Sequence, residues 1–163
     1  KERFRPRQNA AWIGGLGWHN SCVNADMDLA LFVYGSLKPG ATNWKRYCEH
    51  HVAELQPARV RGRLYKFSDG YLALGEPAGR RQDPWVRGWR LVLRSEEALW
   101  NIDRLEDYDS TKPLEENVYL RVRVACFDDE EKSTEPAPLG EAWVYTVTPA
   151  RLAFEGAVEI SPT

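Results

Sequence analysis

Residues 29–37 read Leu-Ala-Leu-Phe-Val-Tyr-Gly-Ser-Leu, an apolar run that is almost unbroken until Gly35. A short continuous apolar segment bounded by turn residues is typical of a strand that is covered on both faces and lies centrally in its sheet. Lys38-Pro39-Gly40 then interrupts the regular backbone. The stretch therefore predicts a buried central strand over residues 29–36, followed by a sharp turn.

Strand patterns also dominate the rest of the chain. A turn at Ser68-Asp69-Gly70 joins two of the strand-like segments. The further predicted strands cover residues 58–66, 71–75, 85–93, 117–127 and 141–147, the last strand of the chain. Residues 42–52 favour a short helix with Thr42 or Asn43 as its cap, and one convincing helix follows late. This order predicts an α+β fold, a small curled mixed β-sheet or barrel with flanking helices.

Composition and charge exclude several classes of protein. Hydrophobic residues make up 43% and charged residues 28% of the 163 residues, which is typical of one globular domain. The formal net charge of -2 gives no reason to expect a nucleic-acid or membrane partner. Three cysteines without CxxC spacing favour reduced thiols in the cytoplasm and no metal site. We accordingly expect no metal site.

The first 26 residues differ from the remainder. The only methionine, Met27, stands directly before the first predicted strand, and the segment upstream lacks the apolar core of a signal peptide. We therefore interpret residues 1–26 as an extension, a tag or an upstream translated segment that is poorly ordered. Residues 27–163 are predicted to form a single domain.

The late helix carries a carboxylate inside its apolar face. Ser95 is its predicted cap, and the dipole favours acidic residues in the first turn. At about 100° per residue, Glu106 falls within the arc of apolar side chains, whereas Asp103 and Asp107 lie outside it. The apolar arc consists of Ala98, Leu99, Ile102 and Leu105. Such a glutamate is either shielded from water, which raises its pKa and suits acid/base chemistry, or reaches solvent at a frayed helix end.

The turn after the first strand offers a second candidate feature. Successive backbone N–H groups at Tyr34, Gly35, Ser36 and Leu37 would form an anion site, and glycine lets a ligand approach the backbone closely. The alternative interpretation is an ordinary strand-ending turn. No Walker loop or nucleophile elbow is present.

A later strand places Tyr119 and Arg121 on its polar face, where they either orient a ligand or face solvent. Trp85 and Trp89 either line a pocket or pack in the core.

Taken in order, short motifs along the chain resemble the γ-glutamylcyclotransferase-like (AIG2-like) family. The opening signature is Phe32-Val33-Tyr34-Gly35-Ser36-Leu37-Lys38-Pro39-Gly40. The later motifs are Gly62-Arg63-Leu64-Tyr65, Val86-Arg87-Gly88, Ile102-Asp103-Arg104-Leu105-Glu106, Tyr119-Leu120-Arg121 and Ala142-Trp143-Val144-Tyr145. One departure is Tyr71-Leu72-Ala73-Leu74, where the family often has Tyr-Pro-Ala, and this puts the identity of the substrate in question.

The resemblance implies a cofactor-independent enzyme that converts a γ-glutamyl amide to 5-oxoproline and a free amine. It implies that Glu106 is the catalytic acid/base and that Gly35, Ser36 and Leu37 bind the glutamyl end of this small-molecule substrate. Tyr34 and Tyr119 are the further predicted substrate-binding residues. Two alternatives stay open: a non-catalytic protein that binds a small molecule in the same cavity, and a hydrolase of small amides. The sequence indicates neither the leaving amine nor the oligomeric state.

Overall fold

A mixed β-sheet forms most of the computed structural model, which describes residues 29–129 and 136–161. The strands are β1 Ala30–Val33, β2 Val52–Arg61, β3 Leu64–Lys66, β4 Leu72–Gly75, β5 Trp85–Leu93, β6 Leu120–Asp128, β7 Pro138–Val147 and β8 Val158–Ile160. The α-helices are α1 Trp44–Tyr47, α2 Glu96–Leu105 and α3 Pro149–Phe154, and a 3-10 turn covers Leu114–Glu116. The predicted extension, residues 1–26, lies outside the described residues, and the division at Met27 stays a prediction.

Five of the strands close into a barrel. The sheet order is β1-β5-β2-β6-β7-β4-β3-β8, and a parallel pairing of Leu31 with Trp143 joins β1 back to β7. The strands β4, β3 and β8 continue the sheet outward from β7, with β4 parallel to it. The predicted α+β class, with a curled mixed sheet and flanking helices, is confirmed.

The first strand is buried on both faces, as the apolar run predicts. Alternate residues, such as Phe32, join a cluster made only of strand and loop residues, which fills the barrel. The intervening residues, such as Leu31, join a second cluster that includes the apolar face of α2. Because β1 lies between these two cores, its carboxyl end and the turn that follows have a rigid base.

A glycine lets two strands approach closely where that turn begins. A Cβ atom on Gly88 of β5 would lie 2.3 Å from the carbonyl oxygen of Val33 and 2.7 Å from the Phe32 ring. Real Cβ atoms do not approach backbone that closely, so only glycine permits this pairing of β1 with β5.

Two predicted segments were wrong in extent. The structure places residues 52–57 in β2, whereas the sequence favoured a helix over residues 42–52 and a strand only from residue 58. This half of β2 carries polar residues and Pro57 and pairs with β5, while the pairing with β6 begins at Ala58. Tertiary pairing with β5 therefore overrides a weak local strand preference.

The strand that ends at Val147 is not the last strand of the chain, contrary to the prediction. Thr148 caps α3 by accepting a hydrogen bond from the Arg151 N–H, and Pro149 occupies the start of the helix. The strand β8 then pairs with β3 over three residues. A Thr-Pro pair is a helix-start signal that the sequence offered, whereas three residues are too few for periodicity to detect.

Among the residues described, no helix has the length and apolar character that crossing a membrane requires.

Candidate active site

The carboxyl end of β1 opens into a pocket of about 300 Å³. All six residues that the sequence proposed for a site line it: Tyr34, Gly35, Ser36, Leu37, Glu106 and Tyr119. Further lining residues are Phe32, Val33, Asn43, Tyr71, Leu72, Leu105 and Tyr145. Residues from distant parts of the chain thus converge on one cavity, whereas Arg121, Trp85 and Trp89 do not line it.

The helix α2 delivers Glu106 to this pocket. Ser95 caps the helix as predicted, its Oγ accepting a hydrogen bond from the Ala98 N–H at 3.4 Å. Glu106 directly follows the last helical residue, and Asp107, with a φ of 50°, turns the chain away. The end of the helix therefore fixes the position of the Glu106 backbone while its side chain lines the cavity.

The Glu106 carboxyl group has an electrostatic environment suited to proton transfer. Burial raises its pKa to about 7. Within residues 29–129 and 136–161, the carboxyl receives no hydrogen bond and forms no ion pair that would stabilise its charge. A carboxyl group with a pKa close to neutral accepts and returns a proton with similar ease at physiological pH.

Hydrogen bonds to the carbonyl oxygens and to the Ser36 side chain hold the turn Gly35–Leu37. They leave its backbone N–H groups available. The Gly35 and Ser36 carbonyl oxygens accept hydrogen bonds from the N–H groups of Lys38 at 3.2 Å and Asn43 at 2.9 Å. The Asn43 Nδ2 also donates to the Ser36 Oγ at 3.0 Å. In the described part of the chain, the backbone N–H groups of Gly35, Ser36 and Leu37 have no acceptor. Three consecutive free donors at a bend form a site for an anion such as a carboxylate.

Two tyrosines line the pocket as neutral hydroxyl groups. The Tyr34 hydroxyl donates to the Tyr145 carbonyl oxygen at 3.1 Å and accepts from the Leu74 N–H at 2.8 Å, which fixes its ring. Burial also raises the pKa of Tyr34. Burial and the nearby charge of Glu106 raise the pKa of Tyr119 to about 12, so its hydroxyl stays protonated and can donate.

A polar network behind the pocket ties α2 to the barrel. The Arg121 Nη1 donates to both carboxyl oxygens of Asp103, at 2.8 and 3.0 Å, and the Tyr145 hydroxyl donates to Asp103 at 2.7 Å. The Arg121 and Asp103 side chains are only 15% and 14% exposed, so they are largely shielded from solvent. Burial raises the pKa of Asp103 despite these bonds. The network anchors the last turn of α2, which carries Glu106, to β6 and β7.

Sequence reasoning missed three residues that build or support this site. Asn43 was considered only as a helix cap, but its side chain bonds to Ser36 and makes no cap hydrogen bond. Tyr145 was considered only as part of a family motif, and Asp103 only as lying outside the apolar arc of α2. A tyrosine within an apolar strand is a usable signal because its buried hydroxyl needs a partner, but the identity of that partner depends on the tertiary fold.

Metal-binding groups do not form a cluster in the described ranges. No three His, Cys, Asp or Glu residues in them lie close enough together to hold an ion. Cys48 and Cys126 are buried free thiols, and burial raises the pKa of each to about 12. Cys22 lies outside the described residues.

A small mixed barrel with a half-buried glutamate beside a row of free N–H groups defines the class of site, and the sequence comparison identifies the family. The profile of the family described as "Gamma-glutamyl cyclotransferase, AIG2-like" matches residues 31–159. The chain belongs to this family. A comparison with curated protein sequences finds no match.

Several solved structures are similar to this chain at low sequence identity. A protein from Arabidopsis thaliana is 19% identical, with a TM-score of 0.51 and with 77% of this chain and 73% of that chain covered. An AIG2-like protein from Mus musculus is 24% identical, with a TM-score of 0.48 and coverage of 77% and 83%. YkqA from Bacillus subtilis is 19% identical, with a TM-score of 0.49 and coverage of 74% and 36%, so this chain spans about a third of its length.

Proposed function

We propose that this protein is a γ-glutamylcyclotransferase-type enzyme that converts a γ-glutamyl amide to 5-oxoproline and a free amine. The observation that carries the proposal is the pairing, in one pocket, of a carboxyl group of near-neutral pKa with three unbonded backbone N–H groups. The carboxyl group suits proton transfer, and the N–H groups suit the carboxylate of an amino acid.

In the proposed reaction, the substrate supplies its own nucleophile. The nitrogen of the α-amine attacks the γ-carbonyl carbon, a new C–N bond closes the five-membered ring, and the original amide C–N bond breaks. The α-ammonium group must first lose a proton, and the leaving nitrogen must gain one. One carboxylate can carry out both transfers, a contribution of about 10²- to 10⁴-fold in rate. Glu106 is the residue that we assign to them.

The substrate must also be held in a curled conformation. We assign its α-carboxylate to the N–H groups of Gly35, Ser36 and Leu37, where hydrogen bonds to a charged acceptor are strong. With that end fixed, the α-amine and the γ-carbonyl are brought together beside Glu106, and positioning of this kind contributes several kcal/mol. The neutral hydroxyl groups of Tyr34 and Tyr119 complete the wall of the pocket.

We expect the enzyme to act in a reducing compartment such as the cytoplasm, because Cys48 and Cys126 are free buried thiols. The reaction as written balances without an added cofactor, and its only expected partner is the γ-glutamyl substrate.

The identity of the product tests the proposal. Purified full-length protein is incubated with a panel of γ-glutamyl amides, and the products are identified by mass spectrometry. We expect 5-oxoproline and the free amine in equal amounts. Free glutamate would instead indicate a hydrolase, and unchanged substrate that nevertheless binds would indicate a non-catalytic binding protein; either result would overturn the proposal.

A further inference from the structure

A second, smaller pocket adjoins the candidate active site. Its volume is about 170 Å³, and it shares Tyr71 and Tyr119 with the first pocket. Its other walls consist of Phe67, Ser68, Val118 and Val147, and its charged residues are Asp69, Arg151 and Glu155. At about 30 Å³ for each water-sized group, the space accommodates roughly five or six atoms of a short chain.

The charged residues of this pocket leave it with one negative charge in excess. The Arg151 guanidinium of α3 and the carboxylate of Glu155, which directly follows α3, form an ion pair at 2.8 Å and offset each other. Within residues 29–129 and 136–161, Asp69 has no such cationic partner, and one of its carboxyl oxygens accepts a hydrogen bond from the Tyr71 N–H at 3.1 Å. The second carboxyl oxygen of Asp69 stays available to a ligand.

The electric field of these residues reaches the active site. The charges of Glu106, Asp69 and Glu155 all raise the pKa of Tyr119, and the charge of Arg151 lowers it. The Tyr119 hydroxyl therefore lies between the catalytic glutamate of the first pocket and the charged groups of the second.

The direction of the substrate follows from the proposed function, on which this inference rests. The glutamyl carboxylate occupies the Gly35–Leu37 turn, and Tyr34 on that side is fixed by its two hydrogen bonds. The leaving amine, bonded to the γ-carbon, must extend away from that turn. The second pocket beyond Tyr119 provides the space for it.

We propose that the second pocket is the leaving-group subsite and that it selects an amine whose short alkyl chain ends in a second cationic group. The methylene groups would pack against Phe67, Val118 and Val147. The terminal ammonium group would lie near the free oxygen of Asp69. Asp69 is then the residue that determines specificity.

Three matched substrates test the subsite. The γ-glutamyl amides of diaminobutane, pentylamine and aminobutanoate place a positive, a neutral and a negative group at similar distances from the scissile bond. Because the charged residues are largely solvent-exposed, we expect kcat/KM for the diaminobutane amide to exceed that for the pentylamine amide by about two- to fivefold. The aminobutanoate amide should be the poorest of the three substrates. The preference should also diminish as salt is added.

Two substitutions should shift this preference in opposite directions. Asp69→Asn preserves an acceptor for the Tyr71 N–H but removes the charge, so it should abolish the advantage of the cationic amide, measured as the ratio of kcat/KM for the cationic and the neutral amide. Arg151→Gln removes the one cation among the described residues that line the pocket and should enlarge that advantage. Glu54→Gln is a matched change at an exposed position on β2 that does not line either pocket. It should not alter the preference for the cationic amide.

Each other outcome contradicts the inference. If 5-oxoproline forms from the cationic and neutral amides at equal rates, or if Asp69→Asn slows all three substrates alike, the subsite assignment fails while the proposed function stands. A preference for the anionic amide would point instead to the groove on the far side of Tyr34, which contains Lys38. If no amide yields 5-oxoproline, both the proposed function and the subsite fail.

Discussion

At the scale of single residues, the catalytic role that we propose for Glu106 comes with an energetic cost. A carboxyl group that is buried without a cation or a hydrogen-bond donor ionises less readily than one in water. The same desolvation that adjusts its pKa for proton transfer at neutral pH therefore makes its charged form destabilising to the folded protein. Both consequences can be measured.

The first prediction concerns the pH dependence of the reaction. Only the ionised carboxylate can accept a proton from the substrate, and the pKa of Glu106 is about 7. We therefore expect kcat/KM for 5-oxoproline release to rise with pH and to level off above about pH 7. A rise centred near the ordinary glutamate pKa of about 4.3 would contradict this assignment.

The second prediction concerns stability. The folded-state pKa of Glu106 is raised, so the wild-type protein should lose stability as pH increases from the unfolded value of 4.5 to about 7. Glu106→Gln has no charge to bury, and we expect it to be more stable than wild type at pH 8 by on the order of 1–3 kcal/mol. Denaturant unfolding across pH measures the difference, which should vanish near pH 4. If the free energies of unfolding of wild type and Glu106→Gln, plotted against pH, stay parallel at all pH values, this account is refuted.

The third prediction concerns Gly35 and separates an effect on substrate binding from an effect on the stability of the fold. A Cβ atom added there meets no atom within 4 Å, whereas one added at Gly88 meets backbone. We expect Gly35→Ala to leave the melting temperature nearly unchanged while it weakens substrate binding beside the free N–H groups. Gly88→Ala should destabilise the fold by about 1–3 kcal/mol through overpacking. If Gly35→Ala leaves KM unaltered, the assignment of this turn to substrate binding would be wrong.

At the scale of secondary-structure elements, α2 is positioned at both of its ends. Ser95 caps its start, and Asp103 in its last turn bonds to Arg121 of β6 and Tyr145 of β7. The contact with Tyr145 also fixes a residue that lines the pocket. We therefore expect the network to have both a structural and a positioning role.

The fourth prediction tests the positioning role. Asp103→Asn leaves the largely buried Arg121 guanidinium without its carboxylate, and we expect a loss of about 2–4 kcal/mol in stability. Because Glu106 lies three residues further along the chain, directly after the end of the same helix, kcat should also fall well below that of the matched exposed variant Glu97→Gln under conditions where both are folded. A variant that is destabilised but fully active would show that the network only supports the fold.

The sequence could predict α2 and its unusual glutamate because both depend on local signals, namely a cap residue and a 3.6-residue apolar period. It could predict β1 because a short continuous apolar run indicates a strand that is covered on both faces, even when the neighbouring strands are not known. It could not predict the start of β2 at Val52, since that pairing depends on β5, more than thirty residues away in the sequence. Nor could it predict the roles of Asn43 and Asp103, whose partners come from other elements.

At the scale of the whole molecule, barrel closure produces the site. The parallel pairing of β1 with β7 brings the turn after β1 near Tyr145, while α2 packs on the same side and presents Glu106. The motif order in the sequence indicated the family, but the charge pattern of the second pocket became visible only when the Asp69 turn and α3 were placed around Tyr119. We therefore infer that the short motifs carry the proposed chemistry, whereas the proposed selectivity depends on the Asp69 turn and α3, which the motifs do not include.

The most direct test of this account compares the wild-type protein with Glu106→Gln in one assay of 5-oxoproline release from a γ-glutamyl amide at neutral pH. Glutamine keeps the shape of the side chain but can neither accept nor return the proton. We predict that wild type forms 5-oxoproline and that the variant, with its fold verified by circular dichroism, is slower by about 10²- to 10⁴-fold. Near-wild-type turnover by the variant would contradict the central role assigned to Glu106.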